Sequence, residues 1–373
     1  MKDKRRIFGM ILLYSLSAIA AVGVGFAVHF ALSGGEDVFK TVFFLALGVL
    51  VGFFFQVLFH EFGHLFAGLA NGFRLESFQI GFLRLRRTDR LRLQFVTSKN
   101  YGGICQMSPV GNGDVVRRFG RFVCGGPIGS AVAAGVWLAL AVLSAVLSFH
   151  PLLTVFFAAG IPTAVYLLVL NAYPFENGGV NTDGSYMFGL RNNTTETNLT
   201  VSILMAQELV MNGTRPGEIP EELIFADDSQ ANEMTRFLFA NYRYAHALDK
   251  DDVAAAMEES KKMERARAFV EEVYGDDLDR EQFYAEAVLF ENKEKAARLY
   301  ERIEKDLLEE ETITSFRIQM CHALYLEGDV EKAERLGKLA ISLKDAFPAK
   351  GIALLEERLV CKMPENIDAA RGE

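Results

Sequence analysis

His60-Glu61-Phe62-Gly63-His64 places two imidazoles four residues apart, with a carboxylate next to the first. On a helix His60 and His64 project from one face, one turn apart, so both rings can reach a single metal ion. Glu61 lies about 100° round the helix from His60, close enough to take a proton from a water that the metal acidifies. Zinc lowers the pKa of such a water towards about 7 and polarises an amide carbonyl, which is the chemistry of peptide hydrolysis. The bland alternative is a pair of interfacial histidines with a snorkelling glutamate. The setting favours the metal. The motif continues an apolar helix (Phe53, Phe54, Phe55, Val57, Leu58, Phe59, then Leu65 and Phe66), where ionisable groups are costly unless they have a function.

A catalytic zinc site needs a third protein ligand and one open position. The chain has six histidines: His29, His60, His64, His150, His246 and His322. That is too few for a multi-histidine di-iron membrane enzyme. His29 and His150 belong near the far side of the membrane, and His246 and His322 lie in a hydrophilic half, so a carboxylate is expected. Asp183, in the run Asn171 to Gly184, emerges on the same side as His64 and beside glycines that let the backbone bend. Glu176 competes for the role, and Asp183 could instead cap a helix over residues 185–190.

The elements that must position these groups are membrane spans. Half of the 373 residues are hydrophobic, which excludes a disordered chain. The net charge of −9 conceals an asymmetry: residues 1–189 carry 15 basic and 9 acidic side chains, residues 190–373 carry 24 and 39. The acidic half argues against nucleic-acid binding. Cys105, Cys124, Cys321 and Cys361 are scattered, with no zinc-knuckle or disulfide-framework spacing. Four apolar stretches reach the roughly 20 residues a bilayer requires, at about 7–32, 38–66, 122–149 and 152–173. The first reads as an uncleaved anchor. Ten cations in 72–121 and the basic run Lys2 to Arg6 place those segments, and both termini, in the cytoplasm. Between the second and third spans, residues 74–107 alternate apolar and polar around 78–82 and 90–95. This predicts a short β-hairpin at the membrane surface, turning at 87–90. The solvated-basic-loop reading stays open.

At this point the chain resembles the site-2 proteases, intramembrane zinc metalloproteases of the peptidase M50 type. The resemblance rests on HEFGH in one membrane helix and Asn171-x-x-Pro174…Asp183-Gly184 after a later one. It also rests on Phe122-Val-Cys-Gly125-Gly126-Pro127-Ile-Gly129 at the start of the third span and on Gly102-Gly103-Ile104-Cys105-Gln106-Met107 after the hairpin. It covers about residues 38–190. It implies that His60, His64 and Asp183 hold Zn²⁺, that Glu61 is the general base, and that Asn171 hydrogen-bonds the tetrahedral intermediate. It further implies that the hairpin region, with Gly102 and Gly103, binds an unwound stretch of a substrate's membrane helix by strand addition. Three positions depart from the family pattern. Ser130 stands where Asn is usual, Thr182 where Leu is usual, and the 12-residue step from Asn171 to Asp183 is longer than usual. Small residues of the third span (Gly125, Gly129, Ala131, Ala133, Ala134, Gly135) suit close helix packing.

From about Asn192 the composition turns to Glu, Ala, Lys, Leu and Arg. Residues 191–220 read as an amphipathic helix (Leu199–Met211) and a linker. Residues 221–373 read as helical repeats, with Ala255, Ala296 and Ala333 in register at spacings of 41 and 37. The third copy resembles a tetratricopeptide repeat (TPR) at its turn, and such stacks bind protein partners.

The expectation is therefore an α-helical multi-pass membrane protein of about four spans with a membrane-associated β-hairpin, residues 1–190, joined to an all-α, TPR-like cytoplasmic domain. Its function would be zinc endopeptidase action on the transmembrane segment of a membrane-protein substrate in the lipid bilayer, near the cytoplasmic face. Two rivals are a chamber-forming membrane zinc protease with a glutamate as third ligand, and a non-proteolytic membrane-tethered scaffold.

Overall fold

A backbone crossing hydrocarbon has no water to bond to and satisfies its own polar groups as helix. In a computed structural model, which describes residues 2–97, 102–177 and 180–371, four runs do so. They are α1 (Lys2–Ser33), α2 (Val38–Ala70), α3 (Val115–Val146) and α4 (Pro151–Ala172), each long and apolar enough to cross a membrane. The chain is that of a membrane protein. Helix α3 begins seven residues before the expected span, because the basic turn at Arg117, Arg118 and Arg121 continues the helix out of the apolar run. Between α2 and α3 run strands β1 (Phe73–Ile80), β2 (Leu83–Arg87), β3 (Leu91–Phe95) and β4 (Gly103–Pro109), in the sheet order β3-β2-β1-β4. After α4 come β5 (Glu176–Asn177), β6 (Val180–Asn181), α5 (Asp183–Asn192) and α6 (Thr195–Met211).

The chain divides into two compact units, one of residues 1–85, 93–107 and 116–197, the other of residues 86–92, 108–115 and 198–373. In the first, α4 packs against α1 and α2. Lipid supplies no hydrophobic drive between helices, so the packing depends on backbones that can approach. A Cβ on Gly48 would stand 2.2 Å from the Phe156 carbonyl oxygen, and one on Gly52 2.8 Å from Gly160 Cα. Trp137 of α3 lies flat over Gly160 and is ringed by Phe55, Phe156 and Phe157. The small residues of α3 divide in their use. Gly125 and Gly129 touch α2 backbone, whereas Gly135 faces open space.

The second unit is helical. After the short α7 (Glu221–Ile224) come three contacting pairs: α8 (Glu233–Lys250) with α9 (Val253–Arg265), α10 (Arg267–Tyr284) with α11 (Lys293–Glu309), and α12 (Ile313–His322) with α13 (Val330–Ser342). Helix α14 (Lys350–Arg371) follows. Each pair turns the same corner. A residue at positive φ (Asp251, Glu291, Gly328) precedes a cap (Asp252, Asn292, Asp329) whose side chain accepts from the backbone N–H three residues on. Four residues past each cap stands a fully buried alanine: Ala256, Ala296 and Ala333. The register is therefore set by Ala256 rather than by Ala255, at steps of 40 and 37. Helices α10 and α12 both widen into a π turn just before the corner, at Ala285–Leu289 and Ala323–Glu327.

The stretch expected as a linker is docked. Asp249 is buried and accepts from the Gly217 N–H at 2.8 Å and from Arg215. Deeper in the unit Arg317 is fully buried. Burial works against its charge, but Glu356 and, at 3.1 Å, Glu281 outweigh that and hold the guanidinium ionised, with Tyr284 stacked beneath it. Removing Glu356 leaves the buried guanidinium with Glu281 alone, so Glu356→Ala should cost up to about 3–5 kcal/mol and lower the thermal unfolding temperature of the full chain in detergent. An unchanged unfolding temperature would contradict this reading of the Arg317 cluster.

Candidate metal centre

Helix α2 starts at a cap, Asp37, which accepts from the Lys40 N–H at 3.0 Å, and it stays helical through the His60–His64 motif to Ala70. Gln56, His60 and His64 follow at four-residue steps and share one face. That face meets α3 at very short range. A Cβ on Gly63 would lie 2.1 Å from the Gly125 carbonyl oxygen, and one on Gly129 2.1 Å from that of Phe59. The approach lets α3 fix both imidazoles. His60 Nδ1 lies 2.9 Å from Ser130 Oγ, and His64 Nδ1 lies 3.0 Å from the Phe122 carbonyl oxygen. A carbonyl only accepts, so His64 carries its proton on Nδ1 and presents the Nε2 lone pair inward. Pro127, inside α3, has no N–H to offer the Val123 carbonyl.

The third group arrives from α5. Thr182, not Asp183, caps that helix: its hydroxyl accepts from the Ser185 N–H, bonds to the Tyr173 carbonyl oxygen at 2.8 Å, and accepts from the Phe175 N–H at 3.2 Å. One side chain thus ties the end of α4 to the start of α5. Gly184 completes the junction, since a Cβ there would sit 2.4 Å from the Ala172 carbonyl oxygen. Asp183 is then free to turn inward. Its Oδ2 lies 3.2 Å from His60 Nε2 and 3.2 Å from His64 Nε2, which are themselves 3.2 Å apart.

These three atoms test whether a metal fits. Donors on a tetrahedral ion at about 2.0–2.1 Å stand about 3.3 Å from one another, close to the triangle observed. Asp183 Oδ2 is buried and takes no hydrogen bond despite its two close neighbours. The three atoms close on a gap that a cation fits. Two imidazoles and one carboxylate are a donor set that zinc takes. Among the described residues it is the one group of three or more such side chains converging on a point. Gly126 leaves the space: a Cβ there would stand 2.3 Å from His64 Nε2 and 2.6 Å from His60 Cε1.

The family model for peptidase family M50 matches residues 48–329. The chain belongs to this family. No curated protein and no solved structure matches it. Peptidase family M50 is one of zinc-dependent membrane metallopeptidases, and the triangle of His60, His64 and Asp183 is a cluster that could hold a metal ion.

The other expected site residues lie as follows. Glu61 is buried on α2, with Gly103 pressed against it; a Cβ on Gly103 would meet Glu61 Cγ at 2.7 Å and Oε1 at 2.8 Å. Gly102 faces Val57 and Phe53, and its carbonyl accepts from the Gly81 N–H at 2.8 Å. Asn171 sits near the end of α4 with its amide donating to the Leu167 carbonyl at 3.1 Å. The side chain of Glu176 lies outside the described residues. Sequence reasoning passed over Thr182, Gly126, Ser130 and the Phe122 carbonyl as site-building groups, although Thr182 and Ser130 stand out as departures from the family pattern.

Gly126 supplies a test of the fit. Gly126→Ala should abolish stoichiometric zinc in the purified protein, whereas Gly135→Ala, whose Cβ meets nothing within 4 Å, should retain it. Equal zinc content in the two variants would contradict the assignment of this space to the ion.

Proposed function

We propose that the chain is an intramembrane zinc endopeptidase of the site-2 type, cutting a transmembrane segment of a membrane-protein substrate near the cytoplasmic face. The observation that carries this reading is the buried 3.2 Å triangle of His60, His64 and Asp183 in an M50 chain with four membrane-length helices. These three side chains would hold Zn²⁺, which supplies Lewis-acid polarisation and acidifies water.

Glu61, adjacent to His60 and buried, is the general base: it takes the proton from the attacking water and returns it to the departing amide nitrogen. Asn171 would turn its amide from Leu167 towards the oxyanion that develops at the scissile carbonyl. Helical amides are shielded and already bonded, so the substrate must unwind, and an edge strand can capture it. Strand β4 begins at Gly103, against Glu61, and is an edge of its sheet among the described residues. Gly102 and Gly103 would let the substrate backbone come close. On β2 and β3, Leu83, Leu91, Leu93 and Phe95 are exposed, with Phe82 stacked on Phe95, which supports a hairpin lying on the membrane surface. Residues 1–190 would form the membrane protease domain with both chain termini in the cytoplasm. Residues 191–220 would connect it to a TPR-like domain over 221–373. The recurring capped corners of that domain support a repeat stack that engages a protein partner.

Glu61→Gln should lower cleavage of a membrane-spanning substrate by at least about 10²–10⁴-fold while leaving zinc content at the wild-type level. Cleavage by that variant at the wild-type rate would remove Glu61 from the mechanism.

A further inference from the structure

The Ser130 hydroxyl belongs to no step above, yet it is fully buried and 2.9 Å from the nitrogen of His60 that faces away from the triangle. A metal-binding imidazole offers one nitrogen to the ion and must carry its proton on the other. The group that receives that proton sets the ring's tautomer and plane. For His64 the receiver is a backbone carbonyl, which no substitution of a side chain removes. For His60 it is Ser130 Oγ, the described side-chain partner of that nitrogen.

Ser130 is itself held. The buried Gln56, one turn before His60 on the same face of α2, donates from Nε2 to the Ser130 backbone carbonyl at 3.0 Å. Gly125 and Gly129 bring α3 so near α2 that a side chain as short as serine spans the gap. The bond from Gln56 fixes the backbone of residue 130, and the hydroxyl passes that placement to the ring.

Resting on the zinc-site reading of His60, His64 and Asp183, we infer that Ser130 is a positioning residue for the metal, accepting the Nδ1–H of His60 and so keeping its Nε2 lone pair aimed at the ion. It does not touch the reacting atoms. Its loss is felt as metal affinity before it is felt as fold.

The test uses the full chain in detergent, stripped of metal by a chelator and titrated with Zn²⁺ against a chromophoric competitor. Ser130→Ala should weaken zinc binding by about 10–100-fold. Ser144→Ala is the matched control. Ser144 is equally buried on the same helix, and its hydroxyl bonds to the Ala141 carbonyl at 2.8 Å. That variant should bind zinc as the wild type does. Wild-type affinity in Ser130→Ala overturns the inference, and so does an equal loss in Ser144→Ala. If metal-free Ser130→Ala unfolds at a lower temperature than metal-free Ser144→Ala, Ser130→Thr decides: recovered zinc affinity supports the positioning role and unrecovered affinity overturns it. A wild-type chain that takes up no zinc sinks the site reading instead, which keeps the two failures distinct.

Discussion

Two imidazole nitrogens and a carboxylate oxygen stand 3.2 Å apart in a largely buried pocket, an arrangement that a cation between them would stabilise. Much of the first unit serves to hold that triangle. Helix α2 contributes two corners because four-residue spacing puts them on one face. Helix α3 meets the outward-facing nitrogens of both rings through the Ser130 hydroxyl and the Phe122 carbonyl. The α4–α5 junction brings in the third corner, with Thr182 and Gly184 fixing where the chain turns. In a bilayer none of this can rest on water-driven burial between helices. It rests on close backbone packing at Gly48, Gly52, Gly63, Gly125 and Gly129.

Two further glycines shape the site. Gly126 leaves space beside His60 and His64, and Gly103 leaves space beside Glu61, so one class of residue serves both helix packing and the shape of the site. The second unit follows different rules. Its helices repeat a corner built from a left-handed residue and an Asx cap, and it buries paired charges such as Arg317 with Glu356 and Glu281.

What was legible in the sequence was local. His60, Glu61 and His64 declare themselves because helix geometry alone converts their spacing into a shared face, and four apolar runs declare the membrane by length. Asp183 was reachable as a candidate because histidines are scarce and it follows the fourth apolar run. Ser130, Gly126 and the Phe122 carbonyl were not legible as site residues, because their contacts exist only once α3 crosses α2, 58–70 residues away along the chain. Thr182 read as a departure from a family pattern, whereas its hydroxyl turns out to cap α5 and tie it to α4. The repeat register slipped by one, to Ala255 instead of Ala256, since neighbouring alanines are equivalent in composition and differ only in which one the cap turns inward.

The measurement closest to the central claim is zinc per chain in detergent-purified protein, wild type beside Asp183→Ala. The account predicts about one zinc in the wild type and a near-complete loss in the variant, because two imidazoles on one helix cannot close the site without the carboxylate from α5. Full zinc retention in Asp183→Ala would contradict a site built across α2 and α5.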